Sequence, residues 1–197
     1  YNIGTGRAEF GQRPIIHDGS TSIIGDRVAF NDSAGTSQAS GNVIIRDTAQ
    51  GTTIVAGNVF RDNKRDRILA TNKPLMIVKQ DADSIYITAD TLFSARLTDL
   101  YGKKDSLVKD TVKGRKVVGI NESKDSTNRY FEGYNHVRIY NDSMQAVCDS
   151  VFYSFRDSIF RMYRDPVIWN NENQITGDTI LLYTRNKKAD KVQAFEN

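Results

Sequence analysis

The residues able to do chemistry in this chain are few, and their spacing argues against most reactions. His17 and His136 are the only histidines, and each stands in a strand-like stretch with no second histidine or acidic partner at ligand spacing. A metal site or a catalytic triad needs all its members together, so neither is expected. Cys148 is the single cysteine, which excludes an intramolecular disulfide and a cysteine-based metal site. It lies in "QAVCDSVFY", at a place where similar phrases carry Ala or Gly, and is expected to be a small buried thiol rather than a nucleophile. Asp26, Asp90, Asp149 and Asp178 could supply paired carboxylates, but each closes a similar phrase after a small residue. A catalytic pair occupies one cleft, whereas residues renewed with each repeat serve architecture. "GTGRAEFG" lacks both the helix and the lysine of a phosphate loop. No catalytic residue, metal or cofactor is therefore expected, and the chain is not read as an enzyme.

One stretch, "SVFYSFRDSIFRMYRDPVIW", interleaves Arg156, Arg161 and Arg164 with aromatics up to Trp169. Such a pattern could hold a glycan or an anionic head group by stacking and charge-assisted hydrogen bonds. Simple alternation gives the plainer reading, with arginines outside and aromatics inside.

The elements that position these residues are short strands. Apolar and polar residues alternate in "NVIIRD" (42–47), "TTIVAGNVF" (52–60), "DSIYITAD" (83–90), "HVRIYND" (136–142) and "ITGDTILLY" (175–183), and no segment of helical period competes. The strands also repeat. With Pro14 laid on Pro166, residues 12–30 match the region 164–182 without a gap: Ile16 on Ile168, Ile23 on Ile175, Gly25 on Gly177, Asp26 on Asp178, Val28 on Ile180. A longer unit running from "GNVIIRD" to "TADTLFSA" returns from "YNHVRIYND" to "TGDTILLY", with Val43 on Val137, Ile45 on Ile139, Arg65-Asp66 on Arg156-Asp157 and Asp90 on Asp178. The three prolines, Pro14, Pro74 and Pro166, share one context and mark equivalent strand starts, because proline gives no N–H to a ladder. At Gly25-Asp26, Ala89-Asp90, Cys148-Asp149 and Gly177-Asp178 the alternation slips by one, as at a bulge or a sheet corner.

The array is interrupted once, between Thr98 and Arg129, by a stretch rich in Lys, Asp, Ser and Gly. The expected organisation is thus repeats over 1–97, a polar excursion or flap over 98–130 with a short hairpin around "RKVVGI", and repeats of the same sheet over 131–197. The chain opens inside a repeat-like strand, so an export signal is expected to have preceded it, and "KKADKVQAFEN" resembles "SAGTSQASGNV", so the array is expected to continue past Asn197. Lys and Arg number 27 against 24 Asp and Glu, and the signs are interspersed, which argues against a nucleic-acid surface. No apolar run approaches the length of a membrane span.

These phrases, above all "SGNVIIRD", "YNHVRIYND", "YITADT", "QAVCDS" and "DPVIWNNENQITGDTILLYTRNKKADKVQAF", resemble the LptA/OstA family of lipopolysaccharide transport proteins, in particular its OstA-like members from Bacteroidetes-type bacteria. The resemblance covers residues 7–95 and 131–197. It implies an all-β fold, a semi-open β-jellyroll or taco-like solenoid of short antiparallel strands with internal repeats. It also implies a periplasmic location and an apolar groove that shields the acyl chains of lipopolysaccharide. The partners it implies are other jellyroll proteins of the transport system, joined by end-to-end strand addition, and head-to-tail copies of the chain itself. The lining expected from apolar residues at matched positions is Val43, Ile45, Ile85, Ile87, Leu92, Val137, Ile139, Val147, Val151, Ile175, Ile180 and Leu182. The alternative is a packed structural or interaction solenoid that binds protein or glycan and no lipid.

Overall fold

The computed structural model describes residues 6–80, 83–101, 128–170, 173–185 and 188–196. The hairpin expected around "RKVVGI" and the continuation expected past Asn197 lie outside the described residues. The described residues are all-β apart from one short helix. β1 (Arg7–Phe10) and β2 (Ile15–Asp18) form one bent rung, and β3 (Thr21–Ile24) with β4 (Arg27–Asn31) forms the next. β5 (Thr36–Asp47) and β6 (Thr52–Asp62) are continuous rungs, followed by β7 (Arg67–Thr71) with β8 (Leu75–Gln80) and by β9 (Asp83–Thr88) with β10 (Thr91–Arg96). After α1 (Leu97–Tyr101) the series resumes with β11 (Arg129–Asn141) and β12 (Met144–Ser154). β13 (Ile159–Tyr163) with β14 (Val167–Asn170), β15 (Asn173–Thr176) with β16 (Thr179–Arg185), and β17 (Lys188–Phe195) complete it. The helix, at a place where no helical period was expected, is held by the neck of the interruption, where the Leu97 and Thr98 N–H groups donate to Asn128 O and Oδ1.

Every rung pairs antiparallel with the rungs before and after it, so the sheet is a meander. Each rung is also creased near its middle, and the creases align, folding the meander into two leaves. The first leaf holds β1, β4, the leading half of β5, the trailing half of β6, β7, β10, the leading half of β11, the trailing half of β12, β13, β16 and β17. The second leaf holds β2, β3, the other halves of β5, β6, β11 and β12, and β8, β9, β14 and β15. No strand pairing among the described residues joins the leaves on the side away from the crease, so the fold is a semi-open jellyroll rather than a barrel.

The crease has an alternating cause. In every second rung two successive residues take positive φ: Gln12-Arg13, Gly41-Asn42, Asn72-Lys73, Asn135-His136 and Arg164-Asp165. Between β5 and β6 the register passes from Ser40↔Asn58 to Val43↔Ala56, two residues against one, and between β11 and β12 from Tyr134↔Ser150 to Val137↔Cys148. This extra residue is a bulge that bends the strand. Left-handed conformations cost about 1–2 kcal/mol per ordinary residue and less for Asn or Gly. Hydrogen bonds across the crease offset that cost, among them Asp26 N–H to Gly41 O, Gly57 N–H to Asn72 O and Asp90 N–H to Asn135 O at 2.8–3.0 Å. On the outside Asp26 faces Arg13 and Asn42 at 3.0 Å, Asp90 faces His136 at 2.8 Å and Asp149 faces Arg164 at 3.1 Å.

In the intervening rungs Gly25, Ala56, Ala89, Cys148 and Gly177 point inward at the crease, where the two leaves come together. A Cβ on Gly177 would stand 3.0 Å from Phe195 O. The small-residue dipeptides are thus bend chemistry, although the bulge lies in the rung beside them. Pro74 and Pro166 are buried, and with Pro14 they stand just before β8, β14 and β2, in the place of Val43 and Val137. The four-rung unit β5–β10 returns as β11–β16 with one change of alignment. Asp66 (φ 52°) falls on Ser158 (φ 57°) rather than on Asp157, because the turns after β6 and β12 are equally long.

Candidate functional site

The interior between the leaves is the largest apolar feature of the chain. In the second leaf one inward row runs through cross-strand partners from Ile16 through Ile23, Ile45, Ile54, Met76, Ile87, Ile139, Ala146 and Ile168 to Ile175. At about 4.8 Å between strands the row is on the order of 40 Å long. The facing row of the first leaf interleaves large and small residues, Val28, Ala39, Val59, Ala70, Leu92, Gly133 and Val151. The two rows close on each other, and this interior is packed. β-branched and aliphatic side chains on one face of each strand explain both the pleated rows and their burial.

Of the expected lining, Val43, Ile45, Ile85, Ile87, Leu92, Val137, Ile139, Val151, Ile180 and Leu182 are buried inward, and Ile175 packs partly buried against them. Val147 is a correction. The inward residues of β12 are Met144, Ala146 and Cys148, so Val147 lies on the outer face between Arg138 and Val167. A small inward residue, Ala146, stands where a large one was expected.

Away from the crease the inner lip of the first leaf changes character along its length. In the N-terminal half Ser37, Arg61, Ile68 and Ser94 are aligned partners. Arg129 is buried and pairs with Asp66, and its NH2 also approaches Ser94 Oγ at 3.4 Å. Arg96 Nε lies 3.4 Å from the same carboxylate, and Arg61 NH2 lies 3.9 Å from it. Arg61 reaches across the mouth to Asp18 of the second leaf at 3.1 Å. Between these groups is a cavity of about 40 Å³, lined also by Thr21, Ile45, Asp47, Thr52, Ile54 and Phe155. Two buried polar atoms there, Arg61 Nε and Thr52 Oγ1, have no hydrogen-bond partner among the described residues. Sequence reasoning missed this cluster, although Arg61 is two residues from the inward Val59 and parity placed it inside.

In the C-terminal half the same lip is aromatic. Phe131, Tyr153 and Phe160 are aligned partners, with ring centroids 4.3–6.1 Å apart, and Phe155 meets Tyr153 edge-on at 5.0 Å. Burial holds the Tyr153 hydroxyl above its ordinary pKa. The expectation of aromatics inside and arginines outside holds here only in part. Phe152 faces outward with Arg161 5.5 Å over its ring and Tyr130 stacked at 5.3 Å, while Tyr163 and Trp169 are exposed.

His17 is exposed on β2 opposite Ser22, whereas His136 and Cys148 stand at the crease. His136 does have an acidic partner, Asp90, in contrast to the expectation, but the pair is exposed on the outside of the crease. Cys148 is buried at the crease, where burial, reinforced by Asp149, pushes its thiol up to about 12. Among the described residues no group of three His, Cys, Asp or Glu could hold a metal ion. At the ends of the meander β1, β2 and β17 each have one partner among the described residues, leaving a row of backbone N–H and C=O groups at either edge.

No protein-family model matches the sequence, and no curated protein matches it. Among solved structures the chain is similar to LptH, the LptA-homologous periplasmic component of the conserved lipopolysaccharide transport device from Pseudomonas aeruginosa, at 10% sequence identity and a TM-score of 0.30, over 94% of this chain and 84% of that one.

Proposed function

We propose that this chain is a lipid-binding component of a lipopolysaccharide transport bridge in the periplasm, which holds acyl chains between its leaves. The observation that carries the reading is the unbroken inward row from Ile16 to Ile175, hinged on one side and, among the described residues, free of strand pairing on the other. Parting the leaves at the mouth would expose that row, and each methylene buried there contributes about 0.8 kcal/mol. The open backbone edges at β1, β2 and β17 suit addition of strands from further jellyroll proteins or from a second copy. The repeated phrases that resemble the LptA/OstA family support the same reading. One observation favours the alternative, a packed interaction solenoid: the leaves meet in a closed core, with Ile87, Val137, Ile180 and Leu182 fully buried.

Photocrosslinking separates the two. A photoreactive residue replaces Ile139, which is inward, or Arg138, which is outward, in a cell that makes lipopolysaccharide. A lipopolysaccharide adduct at 139 and none at 138 is the expected result. Folded, exported protein with no lipid adduct at 139 would refute the transport reading and favour the packed solenoid.

A further inference from the structure

We infer that the cavity between Arg61, Arg129 and Thr52 is a binding site for the monoanionic oxygen head group of an amphiphile, of the phosphodiester or carboxylate class, whose chains continue into the apolar interior. The inference rests on the lipid-binding reading above and adds to it the chemistry of the head. Its starting point is an imbalance of hydrogen-bonding groups. Arginine brings a rigid fork of donors and no acceptor. At this lip three guanidiniums, of Arg61, Arg96 and Arg129, converge on one carboxylate, Asp66. Arg129 and Arg96 both engage Asp66 Oδ2, while Arg61 only approaches Oδ1. What Arg61 does have is a contact with Asp18 on the exposed rim, and its Nε is buried without a partner among the described residues.

A buried unsatisfied donor costs about 1–3 kcal/mol, so such a group calls for a partner, whether water, ion or ligand oxygen. Arg61 and Thr52, which carry the two unpaired atoms, both line the same cavity, which is well above the roughly 10–15 Å³ that one water needs. The charges set the valence of the guest. Two cations, Arg61 and Arg129, and two carboxylates, Asp47 and Asp66, line the space, and Asp47 Oδ1 is taken by the N–H groups of Ala49 and Gln50. A lining balanced in charge but rich in donors fits a group with several oxygens and at most one negative charge, not a doubly charged one. The neighbours set its attachment. Ile45, Ile54 and Met76 line the cavity and also belong to the inward apolar row, so a head seated on the arginines leaves its tail at the start of that row.

The test uses the full chain and three probes: dihexanoyl phosphatidylglycerol, uncharged dihexanoylglycerol, and inorganic phosphate, titrated by calorimetry below any micelle concentration. The anionic lipid should bind at least about 10-fold more tightly than the uncharged one, the effect of a charge-assisted hydrogen bond. Arg61→Gln should remove that margin and leave the uncharged lipid unchanged. Thr52→Val, which keeps the β-branched shape and is safe for folding, should weaken only the anionic lipid, by about 3- to 10-fold. Equal binding of both lipids, unaffected by either substitution, would overturn the head-group site while leaving the acyl-chain reading in place. Phosphate binding that Arg61→Gln abolishes, with no binding of either lipid, would support the oxyanion site and refute the acyl-chain reading. Absence of all three would overturn both.

Discussion

Ser37, Arg61, Ile68 and Ser94 line the inner lip of the first leaf in the N-terminal unit, and four rungs later the same positions hold Phe131, Tyr153, Phe160 and Leu182. Near the crease the two units differ far less: Val43 and Ile45 answer to Val137 and Ile139, Val59 to Val151, and Ile87 to Ile175. Repetition has therefore kept the rows that hold the leaves together and varied the row at the mouth. A sheet folded once needs apolar residues where its halves touch, whereas the lip faces both the interior and water and admits either chemistry.

Substitutions of neighbouring lip residues on either side of the change would test that contrast, and the largest effect belongs to the aromatic side. Phe131→Ala removes a fully buried ring that touches Tyr153, Phe155 and Phe160, and should cost about 3–5 kcal/mol in chemical denaturation. Its cross-strand partner Ser94 donates a 3.0 Å hydrogen bond to Tyr130 O, and Ser94→Ala should cost about 1 kcal/mol. Equal losses would mean that the two halves of the lip are not energetically distinct.

The second test is on the charged side. Asp66→Asn leaves three guanidiniums without their shared carboxylate and should cost about 2 kcal/mol, less than a fully buried pair because water reaches Asp66. Adding Arg129→Met to that variant should restore part of the loss, whereas Ser158→Ala at the matching turn removes only a hydrogen bond with the Tyr153 hydroxyl and should cost about 1 kcal/mol. A loss in the double variant as large as the sum of the single losses would show that Asp66 and Arg129 do not act as a pair.

The third test is at the crease, where the two units agree. Cys148 has its pKa raised from 9.0 to about 12 in the folded chain, so the unfolded chain releases the proton first. Stability is then full below pH 9 and declines as pH rises toward 12, by about 1.4 kcal/mol per pH unit once the unfolded thiol is ionised. Unfolding curves from pH 8 to 10.5 should show that decline, and Cys148→Ala, which installs the residue of the matching Ala56, should reduce its slope. An unchanged slope would place the titration elsewhere.

The sequence makes the strands, their order and the crease legible, because period-two alternation and the small-residue dipeptides are local signals. Pro14, Pro74 and Pro166 mark a feature that recurs on every second rung. The bulge itself is not legible: Gly41-Asn42 and Asn135-His136 bend because each stands against a single residue of the next rung, and pairing is not written in one strand. Val147 went to the wrong face for that reason, since either Ala146 or Val147 could satisfy the pattern until the register decided. The arginine cluster was hidden differently. Arg61 breaks the rule that charge faces water, and the Asp66 it approaches is paired with Arg129, 63 residues further on, a distance that only the folded meander closes.

The one-to-next pairing of the rungs also bears on how such a chain reaches its folded state. Each rung needs only its predecessor as a template, so no early segment waits for a distant one to arrive before it can be ordered. Loop closure between neighbours is short, which keeps its entropic cost low and lets structure grow along the chain in the order in which it emerges. The exception is the passage from β10 to β11, where the Asn128 contacts with Leu97 and Thr98 must draw together the two ends of a long interruption before the second unit can register on the first. That junction is where growth of the sheet would pause.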